Sequence, residues 1–142
     1  MEYHFLSTLG KIHYAWDGQK CSFIKLQEAP AHTFAHQNPV STWLAAYFKQ
    51  EIAPIPALAP AKTVFQQQLR TYLLQLKVGE QKTYAQAAQA LNTAPRALGQ
   101  ALAANPIALL LPCHRIVAQH GLGGFAYGKA WKEKLLHFEQ TP

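Results

Sequence analysis

Residues 83–106, TYAQAAQALNTAPRALGQALAANP, decide the fold. Thr83 is a candidate N-cap for a helix over Tyr84–Leu91, because its hydroxyl can accept from amides of the first turn. Asn92-Thr93-Ala94-Pro95 reads as a tight turn, and Arg96–Ala104 as another helix that stops at Asn105-Pro106. Two short helices joined this closely predict a helix-turn-helix. The second is made mostly of small side chains, whereas a helix that reads the major groove projects Arg, Asn, Gln or Lys to base edges. Small residues let a backbone approach a partner closely, which suits a narrow groove and sequence-tolerant contact. An Ala-rich helix buried against its neighbours fits the same pattern, so both readings stand at this point.

Upstream, Thr63–Leu76 places Val64, Phe65, Leu69, Tyr72, Leu73 and Leu76 at the 3.6-residue period of an amphipathic helix that ends near Gly79. Segment 51–62 has three prolines, Pro54, Pro56 and Pro60, each removing a backbone donor, and reads as an extended linker. Before it, Leu9–Trp16 and Cys21–Gln27 are strand-like runs around Asp17-Gly18, a hairpin turn signal. Residues 41–50 read as a covering helix with Trp43, Leu44, Tyr47 and Phe48 on one face. The expected class is α+β, with residues 1–60 an N-terminal α/β domain and linker, and 61–142 a mostly helical domain.

The whole chain is 142 residues, 49% hydrophobic and 14% charged, which suits small packed domains and not a disordered tail. No run approaches the ~18 apolar residues of a membrane span, and the start lacks a basic region followed by an apolar stretch. No membrane partner and no secretion are expected. Cys21 and Cys113 are too few for a disulfide scaffold, which favours free thiols in a reducing, cytoplasmic or nucleoid setting. Residues 1–60 balance four lysines against four carboxylates, while 61–142 hold nine Lys/Arg against three Glu. All the formal +6 therefore lies in the second half, which favours a polyanion partner there.

The apolar run Ile107–Leu111 leads directly into Pro112-Cys113-His114-Arg115-Ile116-Val117. With Pro112 at the first position of a helical turn, Cys113 would sit at its N-terminal end, where amide donors, His114 and Arg115 favour thiolate over thiol. A thiolate beside a histidine is the minimum equipment of a cysteine nucleophile. Adjacent side chains diverge, so His114 is expected to act through a water or a turn geometry. A cysteine after a leucine run also reads as inert core.

These residues carry a family likeness. Pro112–Val117 resembles the active-site signature of the O6-alkylguanine-DNA alkyltransferases. The surroundings are similar in order: Phe65-Gln66, Gly79 before Thr83-Tyr84, Arg96–Gly99 leading to Asn105-Pro106, the Gly121–Gly128 loop, and Lys132-Glu133 with Leu135-Leu136 and Glu139. The resemblance covers about residues 62–139 and is weaker over 1–60. It implies a ribonuclease-H-like N-terminal domain and a winged-helix-like C-terminal domain that binds double-stranded DNA in the minor groove.

It also implies DNA repair by direct reversal: an O6-alkylguanine is flipped out and its alkyl group moves irreversibly to Cys113, once per chain. O4-alkylthymine is left open as a substrate. His114 would deprotonate Cys113 through water, Glu139 would orient His114, Asn105 would hold the cysteine turn, and Tyr84 would donate to the leaving oxygen or steer the adjacent phosphate. Arg96 resembles an arginine finger filling the gap in the base stack, with Ala97, Gly99, Gln100, Ala101, Tyr84 and Arg115 as further DNA contacts. Pro112, Ile116, Phe125, Ala126 and Tyr127 would form the pocket. A monomer is expected.

Phe125 stands where the family has a tyrosine and Tyr127 where glycine is common, which bears on pocket size and alkyl range. Arg70 and Lys77 replace a usual Trp and Pro, and the Asn92–Pro95 turn is short. Cys21, His32 and His36 are zinc-ligand types, but His32 and His36 share a face only on a helix, which nearby prolines oppose. No cofactor or metal is expected. The competing functions are a lesion-binding sensor without transfer, which Cys113 argues against, and a helix-turn-helix regulator with Cys113 as core.

Overall fold

A computed structural model of the chain describes residues 1–28, 33–34 and 37–141. They pack as two compact units, Met1–Pro60 and Ala61–Pro142, giving a mixed α/β protein. His32 and His36 lie outside the described residues. No helix among the described residues is long and apolar enough to cross a membrane.

The first unit carries a sheet of β1 (Glu2–Leu6), β2 (Lys11–Trp16), β3 (Cys21–Lys25) and β4 (Thr33–Phe34) in the order β3-β2-β1-β4. β1 and β4 pair in parallel, and the β1–β2 and β2–β3 pairs are antiparallel. The turn after β2 forms as its residues dictate: the Asp17 carboxylate accepts the Gln19 and Lys20 amides at 2.8 and 2.7 Å, and Gly18 takes φ +96°. The edge expected to start at Leu9 belongs to β2 from Lys11 onward, and β1 precedes it, paired from Glu2↔Ala15 to Leu6↔Lys11.

Helix α1 (Pro39–Phe48) begins two residues earlier than expected, because Asn38 caps it reciprocally with Ser41 and Pro39 occupies the first turn. Its buried face is Val40, Ser41, Leu44 and Tyr47, with Trp43 and Phe48 only half-buried. The proline-rich segment is extended but not free: Cys21 donates its amide to Ala57 O at 2.8 Å and accepts that of Ala59 at 2.8 Å. Burial pushes the Cys21 thiol up to about 12, so it is an ordinary core residue.

In the second unit α2 (Val64–Leu74) is capped by Thr63, whose hydroxyl accepts the Gln66 amide at 3.0 Å. After β5 (Lys82–Thr83) come α3 (Tyr84–Ala90) and α4 (Pro95–Ala103). Thr83 and Gln86 close a reciprocal cap on α3, and Pro95 opens α4, so the two helices begin and end within a residue of where the sequence puts them. A 3-10 turn, Cys113–Arg115, leads into β6 (Ile116–Val117), which pairs in parallel with β5. This pairing sets Thr83 opposite Val117, and so brings the start of α3 beside the cysteine turn.

The final helix, α5 (Lys129–Gln140), buries Lys132, Leu135, Leu136 and Glu139, one face at i, i+3, i+4 and i+7. Leu69, Leu73, Leu98, Ile107, Leu109, Leu111, Ile116 and Leu135 form the core of this unit. Burying each fully is worth about 1.5–3 kcal/mol.

The apolar run Ile107–Leu111 is buried. It folds as consecutive turns: Leu110 donates to Ala108 O at 2.8 Å, Leu111 to Ile107 O at 3.1 Å, and Leu109 sits at φ +71°. A bulky residue in the left-handed region is strained and must be held by its surroundings. Asn105 does the holding: its Nδ2 donates to Leu111 O at 3.0 Å and its Oδ1 accepts the Ile107 amide at 3.1 Å.

Candidate active site

The turns bracketed by Asn105 end at Cys113, whose amide donates to Leu111 O at 2.7 Å. Above the cysteine lies a cavity of about 410 Å³, within the range of small-molecule sites. Its walls are Tyr84 from α3, Gly99, Leu102 and Ala103 from α4, Asn105 and Cys113, and the loop residues Gly124–Tyr127. Phe125, Ala126 and Tyr127, which the family resemblance implies as pocket residues, are among this lining. Pro112 and Ile116 do not; they are buried behind Cys113, which corrects their place in the pocket. Leu102 and Ala103 escaped sequence reasoning because small and apolar positions on a helix carry no chemical signal of their own.

His114 and Glu139 are brought together at 2.7 Å, Nε2 to Oε2, with both side chains essentially inaccessible. Burial, the largest influence on His114, holds its pKa below the usual value despite the adjacent carboxylate. A neutral ring then donates Nε2–H to Glu139 and leaves Nδ1 as an acceptor, a tautomer assigned from this network. No described residue hydrogen-bonds Nδ1. The histidine is therefore equipped as a base.

Arg115 is a correction. Expected among DNA contacts and as an aid to the thiolate, it is buried and committed inward. Nε and Nη2 donate to Glu139 Oε1 and Oε2 at 2.9 and 3.0 Å, and Nη1 donates to Leu76 O at 2.7 Å. Burial raises the carboxyl pKa, but the His114 and Arg115 bonds and charges more than offset it and hold Glu139 down at about 2.

The resting state of Cys113 is also a correction. Pro112 precedes the turn instead of opening it, and a three-residue turn carries no useful dipole. Burial raises the thiol pKa, opposed by the Asn105 hydrogen bond and the Lys132 charge, so the resting group is a thiol. A neutral thiol beside a neutral imidazole is what a dry site favours until a reaction demands charge.

Lys132 was not expected in the site. It is fully buried, with Nζ donating to Ile116 O at 2.7 Å and Gly124 O at 3.0 Å and lying 5.7 Å from the Tyr84 ring centre. Burial lowers its pKa to about 8. The sequence signal was present: Lys132 and Glu139 stand on the leucine face of α5, where a solvated charge has no place.

On α4, Arg96, Ala97 and Gln100 are exposed and Gly99 is half-buried, whereas Ala101 packs inward, which corrects its assignment as a contact. Tyr84 donates to Gly124 O at 3.3 Å. Gly123 faces it at φ +77°, and a Cβ there would fall 2.7 Å from Tyr84 Cε2 and 2.9 Å from its hydroxyl. Gly123→Ala is expected to displace the tyrosine and destabilise by about 1–3 kcal/mol. Gly124→Ala, with nothing within 4 Å, should leave the urea midpoint nearly unchanged. Equal midpoints for the two variants would refute the contact.

Cys113 thus lines a cavity walled in part by the helix-turn-helix, and the buried His114–Glu139 pair begins at the next residue of the chain. A family model described as "6-O-methylguanine DNA methyltransferase, DNA binding domain" matches residues 64–141, more than half of the chain. The chain belongs to the 6-O-methylguanine DNA methyltransferase family.

A methylated-DNA–protein-cysteine methyltransferase of Sulfolobus acidocaldarius is 54% identical over 61 residues, 43% of this chain and 39% of that protein. One of Metallosphaera sedula is 55% identical over 64 residues, 45% of this chain and 41% of that protein. The matched stretch thus spans about two-fifths of these relatives' length. The crystal structure of Mycobacterium tuberculosis O6-methylguanine methyltransferase superposes with a TM-score of 0.84 at 28% identity, covering 99% of this chain and 94% of that one. The same organism's OGT in complex with DNA gives 0.82 at 27% identity, covering 99% and 93%.

Proposed function

We propose that this protein repairs DNA by accepting the alkyl group of an O6-alkylguanine on Cys113, irreversibly and once per chain. The observation that carries the reading is Cys113 on the wall of a cavity large enough for a flipped base, followed directly in the chain by the buried His114–Glu139 pair. The thiol proton passes through water to His114 Nδ1. Sulfur then bonds the alkyl carbon as the carbon–O6 bond breaks, its electron pair goes to the purine, and the proton returns at N1. Products are S-alkylcysteine and guanine. Lys132 is the charge that favours the transient thiolate.

Asn105 holds the cysteine turn, and Phe125, Ala126 and Tyr127 wall the base. Tyr84 takes the phosphate-steering half of its expected role, since its proton is engaged by Gly124 O. Arg96, Ala97, Gly99 and Gln100 are the contacts we assign to the minor groove of double-stranded DNA, with Arg96 filling the vacated stack. Three of the nine cations in 61–142, Arg70, Arg115 and Lys132, are buried, so phosphate attraction falls to Lys62, Lys77, Lys82, Arg96, Lys129 and Lys134.

We also read the first unit as ribonuclease-H-like, supported by its strand order, and the second as winged-helix-like. A monomer in a reducing, cytoplasmic or nucleoid setting suits a free-thiol acceptor. The homology and the presence of Cys113 disfavour a sensor or a regulator. Duplex DNA carrying labelled O6-methylguanine should transfer one label per chain to Cys113; absence of transfer by fresh reduced protein would overturn the reading.

A further inference from the structure

The departing purine oxygen gathers negative charge, and an apolar pocket makes any hydrogen bond to it count heavily. Apart from the Cys113 thiol, the side-chain donors on the cavity wall are Tyr84, Asn105 and Tyr127. Two are committed: Tyr84 to Gly124 O and Asn105 Nδ2 to Leu111 O. Lys132, beneath the wall, also donates to two carbonyls. The Tyr127 hydroxyl has no hydrogen-bond partner among the described residues.

The Tyr127 ring is fixed by an edge-to-face contact with Phe125, centres 5.7 Å apart. A second sign of its place is electrostatic: burial chiefly, then the charge of a Cys113 thiolate, raises the phenol pKa above its ordinary 10.0. The phenol therefore senses the reacting sulfur and keeps its proton throughout the neutral range. Phe125, the neighbouring aromatic wall, has no hydroxyl to offer.

We propose that the Tyr127 hydroxyl is the side-chain donor that hydrogen-bonds the base during transfer, a role that sequence reasoning gave to Tyr84. This rests on the alkyl-transfer reading above. The phenol keeps its proton; it stabilises the oxygen that receives the carbon–O6 electron pair, while the proton that reaches N1 is the one released by the thiol.

The test is single-turnover methyl transfer from an O6-methylguanine duplex by the full chain, its Tyr127→Phe variant and its Tyr84→Phe variant, with thermal melts run alongside. Tyr127→Phe keeps the ring, the wall and the packing. The saturating rate should fall about 10- to 100-fold in Tyr127→Phe, with duplex affinity unchanged, and fall less in Tyr84→Phe. A Tyr127→Phe rate within twofold of the unaltered chain would make Tyr127 a wall only and overturn this inference alone. So would a larger loss in Tyr84→Phe. An unaltered chain that transfers nothing would overturn the alkyl-transfer reading and this inference with it.

Discussion

Cys113→Ser is expected to abolish alkyl transfer, by more than about 10⁴-fold, while leaving the fold and lesion-duplex binding in place. Sulfur suits displacement at a saturated carbon because it is polarizable and ionises near pH 8.5 in the free side chain. A serine hydroxyl is a poor nucleophile that His114, held neutral in a buried setting, cannot ionise to a useful degree. Stability should change by no more than about 1 kcal/mol, since serine is close in size and can keep the Asn105 hydrogen bond. The readout is label on the protein after incubation with methylated duplex, beside a binding curve for the same duplex. Labelling of the variant at the level of the unaltered chain would mean another acceptor. Cys21 is the other thiol of the chain, and its pKa of about 12 makes it a poor one.

Glu139→Gln is expected to damage both stability and chemistry. The carboxylate takes three donors, and an amide leaves the buried Arg115 charge uncompensated and can present a donor to His114. Breaking one partner of a buried ion pair costs about 3–5 kcal/mol. The transfer rate should drop as well, because the histidine tautomer is no longer enforced.

A pH signature separates this from a general packing defect. The Glu139 pKa falls from 4.5 unfolded to about 2 folded, so the unfolded chain binds more protons between those values. Its contribution, about 3 kcal/mol, is therefore present above pH 4.5 and lost as pH falls toward 2. His114, with a folded pKa below 6.5, acts in the same direction at higher pH. Urea midpoints against pH should show the Glu139 step in the unaltered chain and not in Glu139→Gln; an identical acid profile in both would refute the assignment.

The helix-turn-helix was legible because its ends are written in local chemistry, Thr83 with Gln86 and Pro95. Strands β5 and β6, two residues each, were not, since a parallel pair so short exists only once the chain has folded back. The turns of Ile107–Leu111 were not legible because composition reports burial and not φ; Leu109 takes its left-handed value inside the local bracket that Asn105 makes with Ile107 and Leu111, which an Asn before a proline does not announce.

Charge was the most deceptive signal. Arg115 and Lys132 count as surface cations in any tally, yet one is pinned to Glu139 and the other to two carbonyls. The cysteine and its histidine were readable from their neighbours. The state of that cysteine, a thiol awaiting its base, depends on burial that no sequence motif records.

The carboxylate that anchors His114 and Arg115 comes from α5, 25 residues beyond His114 in the chain. A nascent polypeptide that has exposed Cys113 but not residue 139 has no counter-charge for either side chain. The His114–Arg115–Glu139 network is consequently assembled only after α5 has been made. On the proposed alkyl-transfer reading, a thiol that can be used once is thereby kept from being spent on a half-made chain.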